Sequence, residues 1–322
     1  MRLTLIGAVA LSALAIASSA AAETIYVSNE KGNSVTVIDG GTMTVKATWP
    51  VGRRARGLSL SPDGRVLFVC ASDDHAVQTI DTATGKVVAD LASGDDPEQL
   101  ALSPDGKTVF VSNERDAMVS AIDVGTHQVA WQVGVGEEPE GIVVSPDGKL
   151  AVSSSESDNR LDWIDIATRQ VIAQTEVGMR PRHGEFTRDG KFLWVSSEVG
   201  GDVEIVDASS HEIVGKIAFA IDGVQVDKIL PVGIRFTPDG KRAVVALGRA
   251  NHIAIIDVAS RKVERYVAVG QRVWHVGISL DGMRAYAANG LSDNLSIVDI
   301  NSGKVEKNVE TGRAPWGVAV AH

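Results

Sequence analysis

Between residues 99 and 135, apolar and polar positions alternate in four short runs separated by turn residues. Gln99-Leu100-Ala101-Leu102, Thr108-Val109-Phe110-Val111-Ser112, Met118 to Ile122 and Gln128 to Val135 each read as a strand. A period of two sends successive side chains to opposite faces of a sheet. Pro104-Asp105-Gly106, Glu114-Arg115-Asp116 and Val124-Gly125-Thr126 supply the breaks. The unit predicted is a four-stranded antiparallel meander. No stretch carries a helical period long enough to predict a helix.

The unit repeats. Ser103-Pro104-Asp105-Gly106-Lys107 has counterparts at Ser61-Pro62-Asp63-Gly64-Arg65, Ser145-Pro146-Asp147-Gly148-Lys149 and Thr187-Arg188-Asp189-Gly190-Lys191. Two more stand at Thr237-Pro238-Asp239-Gly240-Lys241 and Ser279-Leu280-Asp281-Gly282-Met283. From Gly64 to Gly282 the steps are 42, 42, 42, 50 and 42 residues, which is the mark of a repeat architecture. A second marker, an apolar residue followed by aspartate, closes the third strand at Asp39, Asp81, Asp123, Asp165, Asp207, Asp257 and Asp299. That makes seven units. Thr24 to Ser28 reads as a second strand and Gly317 to Ala321 as a first strand. Pairing them closes a ring and removes the sheet edges of an open array. The expectation is an all-β, seven-bladed β-propeller over residues 23–322, its first blade built from both ends of the chain.

Residues 1–22 differ in kind. Arg2, the apolar run Leu3 to Ile16 and the small residues Ala20-Ala21-Ala22 read as a secretory signal peptide cleaved near Ala22/Glu23. No lipobox cysteine stands there, so a soluble periplasmic or secreted chain without a membrane span is expected. The net charge of −10 disfavours a nucleic-acid partner, because phosphate binding needs a basic surface. The lone cysteine, Cys70, lies in an apolar run and reads as a small core residue.

The recurring turn residues read as structural, so function is sought where the repeats differ. Four residues after the blade-joining glycines stand Arg56, Glu98, Glu140, Arg182, Val232, Trp274 and Trp316. They are expected at an open channel mouth, on the face opposite the Asp-Gly turns. The next position carries Gly57, Gln99, Gly141, His183, Gly233, His275 and Gly317, and Glu185 and Arg235 follow two further on. Arg56 and Arg182 suit carboxylate ligands, and Trp274 and Trp316 suit a planar ring. A flat polycarboxylate such as pyrroloquinoline quinone (PQQ), a haem, or another anionic aromatic fits that description. His183 and His275 with Glu98, Glu140 or Glu185 also permit a metal. The opposing reading is a wet channel in which Glu185 and Arg235 staple neighbouring blades. An insertion around 218–228 is a candidate lid or partner contact. Acidic residues Asp73, Asp74, Asp95, Asp96, Glu114, Asp116, Glu137, Glu138, Glu156 and Asp158 face an arginine arc of Arg249, Arg272, Arg313, Arg53 and Arg54. No nucleophile elbow, phosphate loop or paired-cysteine motif is present.

Tyr26-Val27-Ser28-Asn29 with Val35 to Asp39, Phe110 to Asn113 and Tyr286 to Asn289 resemble the YVTN-type β-propeller repeat. The leader, repeat number and length resemble exported propellers associated with PQQ-dependent alcohol catabolism. That resemblance implies a non-enzymatic binding or scaffold protein, with a periplasmic PQQ-dependent dehydrogenase, cytochrome or transport component as partner. The alternative is a channel-sited enzyme, a lactonase-like hydrolase or a haem- or metal-linked oxidoreductase.

Overall fold

A computed structural model describes residues 23–321. The leader assigned to 1–22 lies outside the described residues. Seven sheets of four antiparallel strands surround an axis. In blade 2 the order from axis to rim is Ala55–Leu60, Val66–Ala71, Ala76–Asp81 and Lys86–Ala92. Blades 3 to 7 span 97–134, 139–176, 181–218, 231–268 and 273–310. Blade 1 joins Pro315–Ala321 to Thr24–Asn29, Ser34–Asp39 and Thr44–Pro50. Val27 pairs with Val318 and Ile25 with Val320, so the two ends close the ring as the sequence predicts. Among the described residues, no helix is long and apolar enough to cross a membrane.

The core lies between blades. Each of seven buried clusters draws on two neighbours; Phe68 and Leu91 of blade 2, for example, pack with Val109 and Ile122 of blade 3. A sheet with two apolar faces can cover both only by stacking, which is why the ring folds as one body. The turns hold as expected. The Ser103 hydroxyl donates to Asp105 Oδ1 at 2.7 Å, the same oxygen accepts the Lys107 N–H at 3.1 Å, and Gly106 sits at φ +70°.

Serine hydroxyls on the second strands tie three of the blades to the next. Ser28, Ser112 and Ser196 donate to the carbonyls of Arg56, Glu140 and Val232, each at 2.6 Å. Cys70 occupies this slot in blade 2, fully buried, and its counterpart carbonyl is that of Glu98. Cys70→Ser is therefore expected to leave stability within about 1 kcal/mol, since the new hydroxyl finds an acceptor already in place. A thermal melt checks this; a large loss would mean the blade 2 slot differs from its siblings.

The insertion between Ala218 and Pro231 packs against blades 5 and 6. Phe219 and Ile229 join the cluster containing Trp194 and Ile205, and the Ala220 N–H donates to the Tyr266 hydroxyl at 3.0 Å. None of its residues lines the axial cavity.

Candidate functional site

In every blade the innermost strand carries one residue more than its neighbour. Ala55 pairs with Ala71 but Leu58 with Val69, and the same shift occurs in the other six. This bulge re-aims the chain so that two consecutive side chains turn to the axis. Two stacked rings result, one headed by Arg56 and one by Gly57.

The first ring is a plug, not an open mouth. Exposure runs from 0% for Glu98 through 1% for Trp316, 2% for Glu140 and 3% for Arg182 to 6% for Arg56, and Trp274 alone of the ring is half-buried. Arg56 bonds Glu98, and Arg182 bonds Glu156 and lies 2.9 Å from Glu140 and 3.7 Å from Glu198. Arg54 spans Asp96 at 2.5 Å and Glu98 at 2.7 Å. The arginines expected to await a ligand carboxylate thus hold the protein's own. The two arcs of rim charge also meet: Arg53 pairs with Asp74, and Arg54 with Asp96. Glu30, Glu198 and Arg180 join this network without having been singled out in the sequence. The signal was available, since Glu30, Glu114, Glu156 and Glu198 share one repeat position just after the second strand.

Both tryptophans are occupied as well. Trp316 packs on His275 with ring centroids 4.1 Å apart and lies under Arg56, whose Cζ is 4.9 Å from the ring. Trp274 is covered by Arg272 at 3.7 Å, with Arg182 at 5.6 Å. The first ring consequently does not fit PQQ or another flat polycarboxylate.

Carboxylates outnumber arginines in the plug, and burial acts on the excess. Burial, offset in part by Arg182, pushes Glu156 up to about 7. Burial and Glu140 push Glu98 well above the usual carboxylate range. Burial opposes ionisation of Glu198 too, but Arg182 and Arg272 outweigh it and hold it low. The turn aspartates go the other way; the Ser209 hydroxyl and the Ser210 N–H hold Asp207 at about 2. Between about pH 4.3 and Glu156's folded value the folded chain keeps a proton that the unfolded chain releases, so the contribution of this group to stability falls as pH rises. Below about pH 3.9 the unfolded chain binds more protons at the turn aspartates, and stability falls as pH drops. His183 and His275, held neutral by burial, act in the opposite sense below about pH 6.5, so the Glu156 contribution is read as a difference: wild type is expected to lose stability relative to Glu156→Gln between about pH 5 and 8. A difference in denaturation midpoint between the two that stays level over that range would show that Glu156 is ionised in the folded protein.

The second ring alternates a missing side chain with a large one. A Cβ on Gly141 would lie 2.6 Å from the Arg182 carbonyl oxygen, and one on Gly233 would lie 2.7 Å from His275 Cα. Seven converging strands leave room for only three large groups, Gln99, His183 and His275. Arginine donates only, so the 3.0 Å contact from Arg235 makes His183 Nε2 an acceptor. His183 Nδ1–H then donates to Gln99 Oε1 at 3.1 Å, and Gln99 Nε2 donates to the Arg182 carbonyl at 3.3 Å. Burial and Arg235 lower the His183 pKa. Arg235 bonds Glu185 at 2.5 Å and holds that carboxyl low despite its burial. The ion pair expected between blades 5 and 6 is thus present. His275 lies 5.1 Å from His183, ring to ring, and burial, the neighbouring imidazole of His183 and the cations Arg235, Arg182 and Arg56 lower its pKa far below the ordinary value.

Beneath the plug lies a cavity of about 300 Å³. Gln99, His183, His275 and Trp316 form its inner end, and Glu185 and Arg235 its wall. Along Ala55–Leu60, Pro97–Leu102, Pro139–Val144 and Pro231–Phe236 the first four residues are buried and the last two half-exposed. Pro146 of one Asp-Gly turn lines its outer end, and Pro238 and Leu280 of two others line an adjoining lumen space. The axis therefore opens at the turn face, the reverse of the sequence expectation. His275 Nε2 and Trp316 Nε1 are buried there without a hydrogen-bond partner. Among the described residues, Asp96, Glu98 and Glu114 are the carboxylates close enough to share a metal, and Arg54 already bonds the first two. The histidines do not join that group, and both nitrogens of His183 are engaged, so the paired-histidine metal site read from the sequence is not assembled.

The model of the YNCE-like β-propeller family matches residues 3–115 and 104–189, together more than half of the chain. The chain belongs to the YNCE-like β-propeller family. In this YNCE-like propeller, residues 165–322 also match a model described as Lactonase, 7-bladed beta-propeller. The curated proteins contain no match. Hydrazine synthase of Kuenenia stuttgartiensis superposes with a TM-score of 0.78 at 23% identity, over 86% of this chain and 92% of that one. A functionally unknown protein from Desulfotomaculum acetoxidans DSM 771 superposes with a TM-score of 0.80 at 16% identity, over 93% and 99%. At these identities the likeness to the YNCE-like propeller is one of fold.

Proposed function

We propose that the protein is a binding propeller that takes a small polar molecule into its axial cavity from the turn face. The observation that carries this is the unpartnered pair His275 Nε2 and Trp316 Nε1 at the cavity's inner end. A buried polar atom left unpaired costs about 1–3 kcal/mol, which a ligand that pairs it recovers. Thermal shift against fractionated small molecules, with native mass spectrometry of the purified chain, tests the reading. A retained or stabilising compound whose effect is lost in Trp316→Phe is expected; no effect from any fraction contradicts it.

Lactone hydrolysis is the second reading, favoured by the family match over 165–322, which spans His183, Glu185, Arg235 and His275. It is the weaker one, because Arg235 caps both groups that would serve as base. Hydrolysis of simple lactones that disappears in Glu185→Gln would reverse this order.

An exported, accessory role beside PQQ-dependent alcohol oxidation rests on the sequence resemblance. Recovery of a dehydrogenase, cytochrome or transport component with the protein from an induced periplasm supports that role. Recovery from the cytoplasm, or of none of these partners, counts against it.

A further inference from the structure

We infer that the axial cavity receives a small organic monocarboxylate, one oxygen facing Trp316 and His275 and the other facing Arg235. This rests on the binding reading above and adds the chemical class. The indole N–H of Trp316 can only donate, so its missing partner is an acceptor. Arg235 spends Nη1 on Glu185 and His183 and is half-exposed toward the lumen, so Nε and Nη2 remain for a ligand. A guanidinium presents two parallel donors that match a carboxylate.

Charge selects the same class. Glu185 is the carboxylate in the cavity lining, and Arg235 already neutralises it. Arg56 and Arg182 stand in the plug beyond Trp316 and are paired with its carboxylates, so the donors left facing a ligand are those of Arg235 and the Trp316 indole. An ammonium group would meet Arg235 without a free counter-charge. Leu100, Ile142, Val143 and Val318 supply apolar wall for the rest of the molecule. About 300 Å³ accommodates a short or single-ring acid.

Isothermal titration of the full chain with acetate, lactate and benzoate tests this, against acetamide, lactamide, benzamide and propylammonium. At least one acid is expected to bind, with its amide weaker by about tenfold or more, the scale of a charge-assisted hydrogen bond. The double variant Glu185→Gln/Arg235→Gln keeps the wall neutral and is expected to lose the acid by a similar factor while its melting temperature holds. Trp316→Phe, which keeps an aromatic ring in the plug, reports on the indole N–H separately. Equal binding of acid and amide, or preference for propylammonium, overturns the carboxylate class and leaves the cavity reading standing. Acid binding untouched by both variants overturns the location. No binding by any probe, with no thermal shift from any fraction, overturns both.

Discussion

Arg182→Met is expected to cost about 3–5 kcal/mol, the scale of removing one partner from a buried ion pair. Arg182 is 3% exposed and stands among Glu140, Glu156 and Glu198. Methionine fills much of the volume but leaves three carboxylates facing one another, with Arg180 and Arg272 beside Glu156 and Glu198 and Arg56 4.0 Å from Glu140 as the remaining cations. Ionisation of Glu156 and Glu198 is then opposed by burial without the charge of Arg182 to offset it, so their folded pKa values rise. The loss is accordingly greatest at neutral pH and shrinks as pH falls toward 5, where the folded chain takes up the protons. Adding Glu156→Gln to Arg182→Met removes one of the stranded charges and recovers part of the loss. Urea denaturation at pH 7 and pH 5 measures all three comparisons. A cost under about 1 kcal/mol, the scale of a surface pair, would mean the plug is solvated.

Removing residues 315–322 is expected to have a larger effect still: the chain should fail to accumulate as a monomeric folded protein. Pro315–Ala321 is the innermost strand of blade 1 and pairs along Thr24–Asn29. Without it, Ile25, Val27 and Leu295 lose the neighbour Val318 that completes their cluster, and Thr24–Asn29 becomes an open edge. Trp316 leaves the plug at the same time. The ring has no second closure to fall back on, because the other six blades are each continuous in sequence. Size-exclusion chromatography with circular dichroism distinguishes the outcomes. A soluble monomer with native strand content would show that six blades and an open edge suffice.

The repeat was legible because its causes are local. Ser-Pro-Asp-Gly turns and strand-closing aspartates act within a few residues, and a constant step makes each copy a check on the others. The same ruler placed Arg56, Glu98, Glu140, Arg182, Trp274 and Trp316 in one ring and His183 with His275 in the next. Which end of the axis was open was not legible, for two physical reasons. The bulge that aims two successive residues inward leaves no mark in a period-two pattern. Whether Arg56 and Arg182 are free depends on charges brought from other loops, and Glu30, Glu156 and Glu198 come from second-strand ends far from them in sequence. A charged residue read alone looks available, whereas the folded ring pairs it. The insertion at 218–228 is anchored by Phe219, and by Ile229 just beyond it, in a core cluster that only the neighbouring blade completes, while Val226 at its centre stays exposed.

The central claim is an axis sealed at the blade-joining end and open at the turn face. Thiol accessibility in a Cys70→Ser background tests it most directly, using a small negatively charged methanethiosulfonate. Ser59→Cys places the reporter in the lumen below the second ring, and Val232→Cys places it in the plug, where Val232 is fully buried. The thiol at 59 is predicted to react in the native protein, and the thiol at 232 only after unfolding. Rapid native labelling at 232 with protection at 59 would contradict the account and return the ligand site to the opposite face.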